Sequence, residues 1–125
     1  MQDRPTPDIL IEAAARHFRS GAQNDAFRTR VALNALEVSA RQLRLAPARD
    51  AAERERLAVL LGKEGSLLEL NRELADRIKR ADEAELDGYV EHLWLTTIEK
   101  LEVDQPNYST LRSVRQPADQ ESKEI

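Results

Sequence analysis

The sequence contains no cysteine and is poor in glycine, proline and aromatic residues. Without cysteine, the chain cannot form a disulfide scaffold, a zinc–thiolate site, an iron–sulfur cluster or a cysteine nucleophile. With only four glycines and five prolines, there are few places at which a helix must end. Aromatic residues make up 4% of the chain, too few to form a platform on which nucleic-acid bases stack.

Long apolar runs are also missing. The longest span a few residues, such as residues 59–61, whereas a transmembrane helix needs about 20. Residues 1–7 contain no basic region ahead of an apolar stretch, so the pattern of a signal peptide is absent. We therefore expect a cytoplasmic protein that does not bind or cross a membrane.

What is present fits one small helical domain. The 125 residues are 41% apolar, which is too high for a disordered chain, and 34% charged. The segments between glycines and prolines are rich in Ala, Leu, Glu and Arg, and no period-two alternation is sustained. We predict an all-α, up-and-down bundle of about five helices in a single domain over residues 1–109. A polar, disordered tail is predicted over residues 110–125.

Local signals predict where the helices begin and end. Thr6 is a good N-cap before Pro7, and Pro47 should block continuation of a helix. The first three predicted helices cover residues 7–19, 25–45 and 48–61. A fourth helix begins at the capping-box pattern Ser66-x-x-Glu69 and ends near Arg80. A fifth begins between residues 82 and 87 and ends near residue 103. The charge alternation of residues 49–56 predicts a solvated face.

Two of the helices carry broad apolar faces. One stripe of the second helix contains Asn34 among apolar residues and predicts that this amide is buried and hydrogen-bonded; its members include Phe27, Val31, Asn34 and Val38. The face of the last helix comprises Leu86, Tyr89, Val90, Leu93, Thr97, Ile98 and Leu101, with Trp94 at its edge.

The net charge of −4 is unevenly distributed. Residues 82–104 hold eight acidic residues and one lysine, a net charge of −7, so the remaining chain sums to +3. This pattern has two interpretations: complementary charges within the fold that also aid solubility, or an acidic face that docks a basic partner. Nucleic-acid binding is not expected, because no dense Lys/Arg stripe is present.

No pattern of catalytic or metal-binding residues occurs. His17 lies on the apolar face of the first helix, where a packed and hydrogen-bonded role is expected, and His92 follows Glu91. The residues three positions before the two histidines are Ala14 and Tyr89, so the Glu-x-x-His pairs of di-iron bundles are absent. Phosphate-binding loops and Gly-x-Ser-x-Gly are absent too. We predict no catalytic residue, no bound metal and no cofactor.

Four residues form a candidate polar or structural site. Arg30 and Asn34 share one helix face at i, i+4, and they suggest either a structural polar bridge or part of a small-ligand pocket. The segment from Asp104 to Ser109 contains Pro106, which rules out simple continuation of the helix. Tyr108 is expected to fold back onto the bundle as a C-terminal clasp with its ring over apolar surface.

Three segments resemble the signatures of a bacterial family known only as a domain of unknown function. They are Arg4-Pro5, the stretch from Phe27 to Leu36 (typically Phe-His-x-Arg-Val-Ala-x-Asn-x-Leu) and that from Lys100 to Tyr108 (typically Lys-Leu-x-Val-x-Asn-Pro-x-Tyr). Arg28 and Gln105 depart from the pattern, where the family usually has His and Asn. The resemblance spans about residues 2–109.

The resemblance implies which genes lie nearby in the genome rather than an activity. Such proteins are typically encoded beside an aminoglycoside-phosphotransferase-like kinase and acyl-CoA dehydrogenases, which implies an accessory role in acyl-CoA metabolism. The leading hypothesis is a non-catalytic protein that binds one of these enzymes. The alternatives are a small-ligand or acyl-CoA binding module and an enzyme of unknown type. Self-association as a homo-oligomer is a further expectation, because Trp94 lies at the edge of an apolar stripe.

Overall fold

The computed structural model describes residues 4–21 and 24–115, which contain five α-helices and no β-strand. The helices are α1 (Pro7–Arg19), α2 (Ala26–Leu61), α3 (Leu67–Arg80), α4 (Glu83–Asp104) and α5 (Ser109–Arg115). The predicted all-α class and helix number are confirmed, although two predicted helices are fused in α2. No helix in the described residues has the length and apolar character needed to cross a membrane.

The chain divides into two compact units between Ala81 and Asp82. Unit 1 contains α1, α2 and α3, and unit 2 contains α4 and α5. The single domain over residues 1–109 stays a prediction.

Pro47 lies inside α2, so the predicted break at this residue is wrong. Proline lacks the N–H that would bond to the carbonyl of residue 43, and in a helix interior it costs about 3 kcal/mol relative to alanine. Packing on both sides of Pro47 offsets this cost. Antiparallel α1 packs along the first half of α2, and α3 packs along the second half.

The ends of the helices follow the sequence signals closely. Helix α1 has the predicted bounds, although the Thr6 hydroxyl donates to the Asp8 carboxylate instead of capping a backbone N–H. At the start of α3, the Glu69 N–H donates to Ser66 Oγ at 3.2 Å and the Ser66 N–H donates to Glu69 Oε2 at 3.1 Å. The predicted capping box is therefore confirmed.

The core of unit 1 lies where α2 meets its two neighbours. Leu57 and Leu70 are fully buried between α2 and α3, with Leu61 and Leu74 beside them. In unit 2 the buried residues are His92 and Val103 on α4 and Leu111 on α5. Burial of the apolar side chains stabilises the packing of α2 against α3 in unit 1.

Helix α5 changes the expected C-terminus. Residues 110–115, the first six of the predicted tail, are helical. Their helix is joined to α4 by an ion pair between the Arg115 guanidinium and the Glu102 carboxylate. Residues 116–125, the rest of the predicted tail, lie outside the described residues.

Candidate functional site

The four residues predicted to form a polar site lie two in each unit. Arg30 and Asn34 are one turn apart in the first half of α2, in unit 1. Asp104 is the last residue of α4 and Tyr108 immediately precedes α5, in unit 2. All four are exposed. Their grouping into one site stays a prediction.

The expectation that Asn34 is buried is wrong. The buried residues in this half of α2 are Ala32 and Ser39, which face α1, and Ser39 Oγ donates to the Ala35 carbonyl at 2.7 Å. Asn34 is two residues from Ala32, about 200° around the helix. Phe27 and Val31 on the same stripe are likewise 68% and 53% exposed. Arg30 and Asn34 therefore face solvent beside an apolar patch.

Tyr108 is exposed, and the C-terminal clasp that the sequence predicts for it stays a prediction. Its side chain is 44% exposed, whereas Leu111, one turn later, is 2% exposed. The backbone of Tyr108 supports the turn, since its N–H donates to the Gln105 carbonyl at 3.0 Å and its carbonyl accepts from the Arg112 N–H at 3.2 Å. Leu111 is the buried residue that anchors α5. Its burial could not be predicted without knowing that residues 109–115 form a helix.

The exposed face of α4 carries a row of apolar side chains. Val90, Leu93, Trp94 and Thr97, here named the α4 row, are exposed and follow the i, i+3, i+4, i+7 spacing of a single helix face. Trp94 is 53% exposed. Most of the apolar face predicted for this helix is thus at the surface or only half-buried.

The buried face of α4 is the opposite one, and it contains His92 and Val103. His92 is among the most buried polar residues in the described chain. The sequence favours burial of the apolar face of this helix instead, and His92 lies on the opposite side. Packing alone selects this more polar face for burial.

Acidic residues lie at both ends of the α4 row. Glu83 and Asp87 precede it on the same face, and Asp104 follows it; all three are exposed. Glu83 lies in the first turn, where the positive end of the helix dipole favours an acid. Asp104 lies at the unfavourable end, where the last turn contains no basic residue.

A second polar arrangement lies in unit 1, where the end of α1 faces the start of α2. His17 Nε2 lies 3.0 Å from Thr29 Oγ1, and the His17 ring meets the Phe18 ring edge-on with centroids 5.2 Å apart. The packed, hydrogen-bonded His17 expected from the sequence is confirmed. Beside it is an open depression of about 550 Å³ lined by Ala13, Arg16, His17, Ser20 and Arg28.

A buried carboxylate lies between α2 and α3. Glu53 is buried, and the Asn71 side-chain nitrogen donates to its Oε1 at 3.2 Å and to the Leu67 carbonyl at 3.0 Å. The prediction of a solvated face over residues 49–56 is therefore wrong for Glu53. Ser39 and Glu53 each lie seven residues, about two helical turns, from position 46. They therefore share one face of α2, and both are buried.

Two carboxylates have altered acidities. A hydrogen bond from Arg77 and the nearby Lys63 ammonium hold the pKa of Glu73 below its ordinary value. The Thr6 hydroxyl does the same for the pKa of Asp8. Both carboxylates are at the surface, and their partners stabilise the ionised form. Neither arrangement supplies a general base poised near neutral pH.

Across residues 4–21 and 24–115, no three His, Asp or Glu side chains are grouped so that they could hold a metal ion. The two histidines, His17 and His92, lie in different units. What the described surface offers is an apolar face with acidic ends on α4 and a basic depression beside α1.

Comparison with known proteins gives a family but no described activity. No curated protein and no solved structure matches the chain. A family model described as a domain of unknown function (DUF6285) matches residues 19–108. The match includes Arg30, Asn34, Asp104 and Tyr108, both family-like segments from Phe27 and from Lys100, and the α4 row. Because the model covers well over half of the sequence, the chain belongs to the DUF6285 family.

Proposed function

We propose that this protein is a non-catalytic accessory protein that binds a partner enzyme through the α4 row. The observation that carries the proposal is the exposure of Trp94 with Val90 and Leu93 on one face of α4. Contiguous apolar side chains on a surface mark interaction sites. Tryptophan is also among the residues that contribute most to binding energy in protein interfaces.

The charges around the row define the chemistry of the partner. Glu83, Asp87 and Asp104 lie at its ends, and residues 82–104, which are α4 and its N-cap, have a net charge of −7. The complementary surface is an apolar patch flanked by lysine or arginine. Such complementarity raises the association rate, and salt weakens this effect.

The family resemblance suggests which enzyme carries that patch. An aminoglycoside-phosphotransferase-like kinase is the first candidate, and an acyl-CoA dehydrogenase is the second. In either case the protein would assist acyl-CoA metabolism without reacting itself. This choice rests on association rather than on geometry.

Co-purification with each candidate enzyme tests the proposal. We expect co-elution at micromolar concentrations, with an affinity at least about tenfold weaker for Trp94→Ala, which corresponds to about 1.4 kcal/mol. Val59→Ala is the matched control, because Val59 is an isolated apolar residue, 85% exposed, on α2. Calorimetry at two salt concentrations should show weaker binding at the higher one.

Two outcomes would overturn the proposal. One is separate elution of both candidate enzymes with no change in their activity. The other is a homo-oligomer in light scattering that Trp94→Glu converts to a monomer, since a second copy would then occupy the α4 row. A monomer that binds the enzyme through Trp94 supports it.

A further inference from the structure

We infer that the depression between the end of α1 and the start of α2 binds the phosphate group of a small organic phosphate. The inference is independent of the proposed function, because it concerns unit 1 and uses no residue of α4. Four observations support it: the charge of the lining, the availability of the arginines, the fixed position of the walls and the size of the space.

Two arginines from different helices line this depression. Arg16 comes from the last turn of α1 and Arg28 from the first turn of α2, and His17 and Ser20 are the other polar residues of the lining. No carboxylate belongs to the lining among the described residues. Over residues 16–30 the chain carries four arginines and one aspartate, a net charge of +3 in an otherwise acidic protein.

The two arginines are available for a ligand. Arg16 forms no ion pair with any residue that the structure describes. Arg28 Nε lies 3.4 Å from Asp25 Oδ2, but its side chain is 74% exposed, so the pair is weak and easily exchanged. Asp25 has a separate role as the N-cap of α2, where its Oδ1 accepts from the Arg28 N–H at 3.0 Å.

The walls of the depression are held by hydrogen bonds that a ligand need not disturb. The contact of 3.0 Å between His17 Nε2 and Thr29 Oγ1 ties α1 to α2. Ser20 Oγ donates to the His17 carbonyl at 2.7 Å, and the Ser20 N–H donates to the Arg16 carbonyl at 3.0 Å. The backbone carrying both arginines is therefore positioned before a ligand arrives, which lowers the entropic cost of binding.

Phosphate is the anion that we assign to this lining. The planar guanidinium donates two parallel hydrogen bonds to a phosphate, and two such groups can contact different oxygens of a phosphate or diphosphate. The space of about 550 Å³ lies in an open depression, so a phosphate ester larger than inorganic phosphate also has room there. A small phosphate ester therefore matches the charge of the lining, and the open side leaves room for its organic part.

Titration calorimetry of the full chain tests the inference, with inorganic phosphate, pyrophosphate and ADP as separate probes. We expect saturable binding of pyrophosphate or ADP, tighter than that of inorganic phosphate. Binding should weaken at least tenfold in Arg16→Ala and in Arg28→Ala. Arg44→Ala, an exposed arginine farther along α2, is the matched control and should bind like the unaltered protein.

Circular dichroism of each variant shows whether the fold is kept, which is expected because Arg16 and Arg28 are both exposed. Arg28→Lys separates charge from geometry, since lysine keeps the charge and loses the paired hydrogen bonds. The inference is overturned if none of the three probes binds at millimolar concentration, or if Arg44→Ala weakens binding as much as Arg16→Ala. Binding of an oligonucleotide alone would also overturn it.

Discussion

The Asn71 side-chain nitrogen donates a hydrogen bond of 3.2 Å to the buried carboxylate of Glu53 and thereby joins α3 to the second half of α2. A buried carboxylate is costly unless hydrogen bonds compensate for its lost hydration. The same amide also donates to the Leu67 carbonyl at 3.0 Å. This pair therefore stabilises unit 1, and substitution of Asn71 tests how much it contributes.

Replacing Asn71 should destabilise unit 1. We expect Asn71→Ala to lower the free energy of unfolding by about 1–3 kcal/mol, because the buried carboxylate of Glu53 loses a hydrogen-bond donor. Asn71→Asp should be worse at neutral pH, since it brings a second carboxylate to the same place. Urea unfolding measures both. Arg72→Ala, at an exposed neighbouring position, is the control, and an equal loss there would refute the role of Asn71.

Removing Pro47 should stabilise the protein. In Pro47→Ala the backbone N–H returns and can donate to the carbonyl of residue 43, and alanine is the best helix former. We expect a gain of about 2 kcal/mol, less than the full propensity difference because proline also restricts the unfolded chain. Ala51→Gly, at an exposed position of the same helix, should instead cost about 1 kcal/mol. No gain in Pro47→Ala would mean that packing has already removed the penalty.

The pKa of Glu73 should respond to the loss of Arg77, Lys63 and Arg80 by different amounts. Arg77 Nε donates to Glu73 Oε1 at 2.9 Å, and Lys63 Nζ lies 3.7 Å from Oε2. We expect the pKa of Glu73 to rise towards its ordinary value most in Arg77→Ala, less in Lys63→Ala and least in Arg80→Ala. NMR titration of the side-chain carboxyl carbon measures this order, and an equal response of all three variants would contradict it.

The lowered pKa of Glu73 also sets the sign of a pH effect on stability. Because the folded pKa lies below the unfolded one, the ionised carboxylate stabilises the fold at pH values above the unfolded pKa. That contribution is lost as the pH falls through the folded pKa. Unfolding curves of Glu73→Gln should therefore show a smaller loss of stability on acidification than those of the unaltered chain.

Leu111 and Tyr108 should differ sharply in their effect on unit 2. Leu111→Ala removes a buried side chain and should cost about 2–5 kcal/mol, seen as faster amide hydrogen exchange in α5. Tyr108→Ala should cost much less, because nearly half of that residue is exposed. Ser113→Ala, on the exposed side of α5, is the control. If Tyr108→Ala has the larger effect, Leu111 is not the main anchor of α5, and the tyrosine clasp predicted from the sequence is supported instead.

Local sequence signals predicted several helix ends correctly. The first helix has the predicted bounds of Pro7 and Arg19, and Ser66 and Glu69 form the predicted capping box. Gly62 ends α2 in the left-handed conformation, with φ of 64°. These features depend on residues within one or two turns of each other, so the sequence carries all the information they need. The candidate polar site, by contrast, combines residues that are distant in the sequence.

Arg30 and Asn34 illustrate why the site was harder to predict. Their i, i+4 spacing correctly places them on one face of a helix, but spacing cannot say whether that face is buried. Ala32 and Ser39 face α1, and the stripe through Asn34 therefore faces solvent. Similarly, the depression beside Arg16 and Arg28 requires the α1–α2 pairing, which no local motif encodes.

By itself the sequence determined the helical class, most helix ends and the negative net charge of residues 82–104, because these follow from propensity, capping and composition. Only the tertiary structure decided that α2 continues through Pro47 and that α4 buries His92 while exposing Trp94. The physical reason is that burial and helix continuation depend on packing partners distant in the chain. Their contribution outweighs the local preference of a proline or of an apolar stripe.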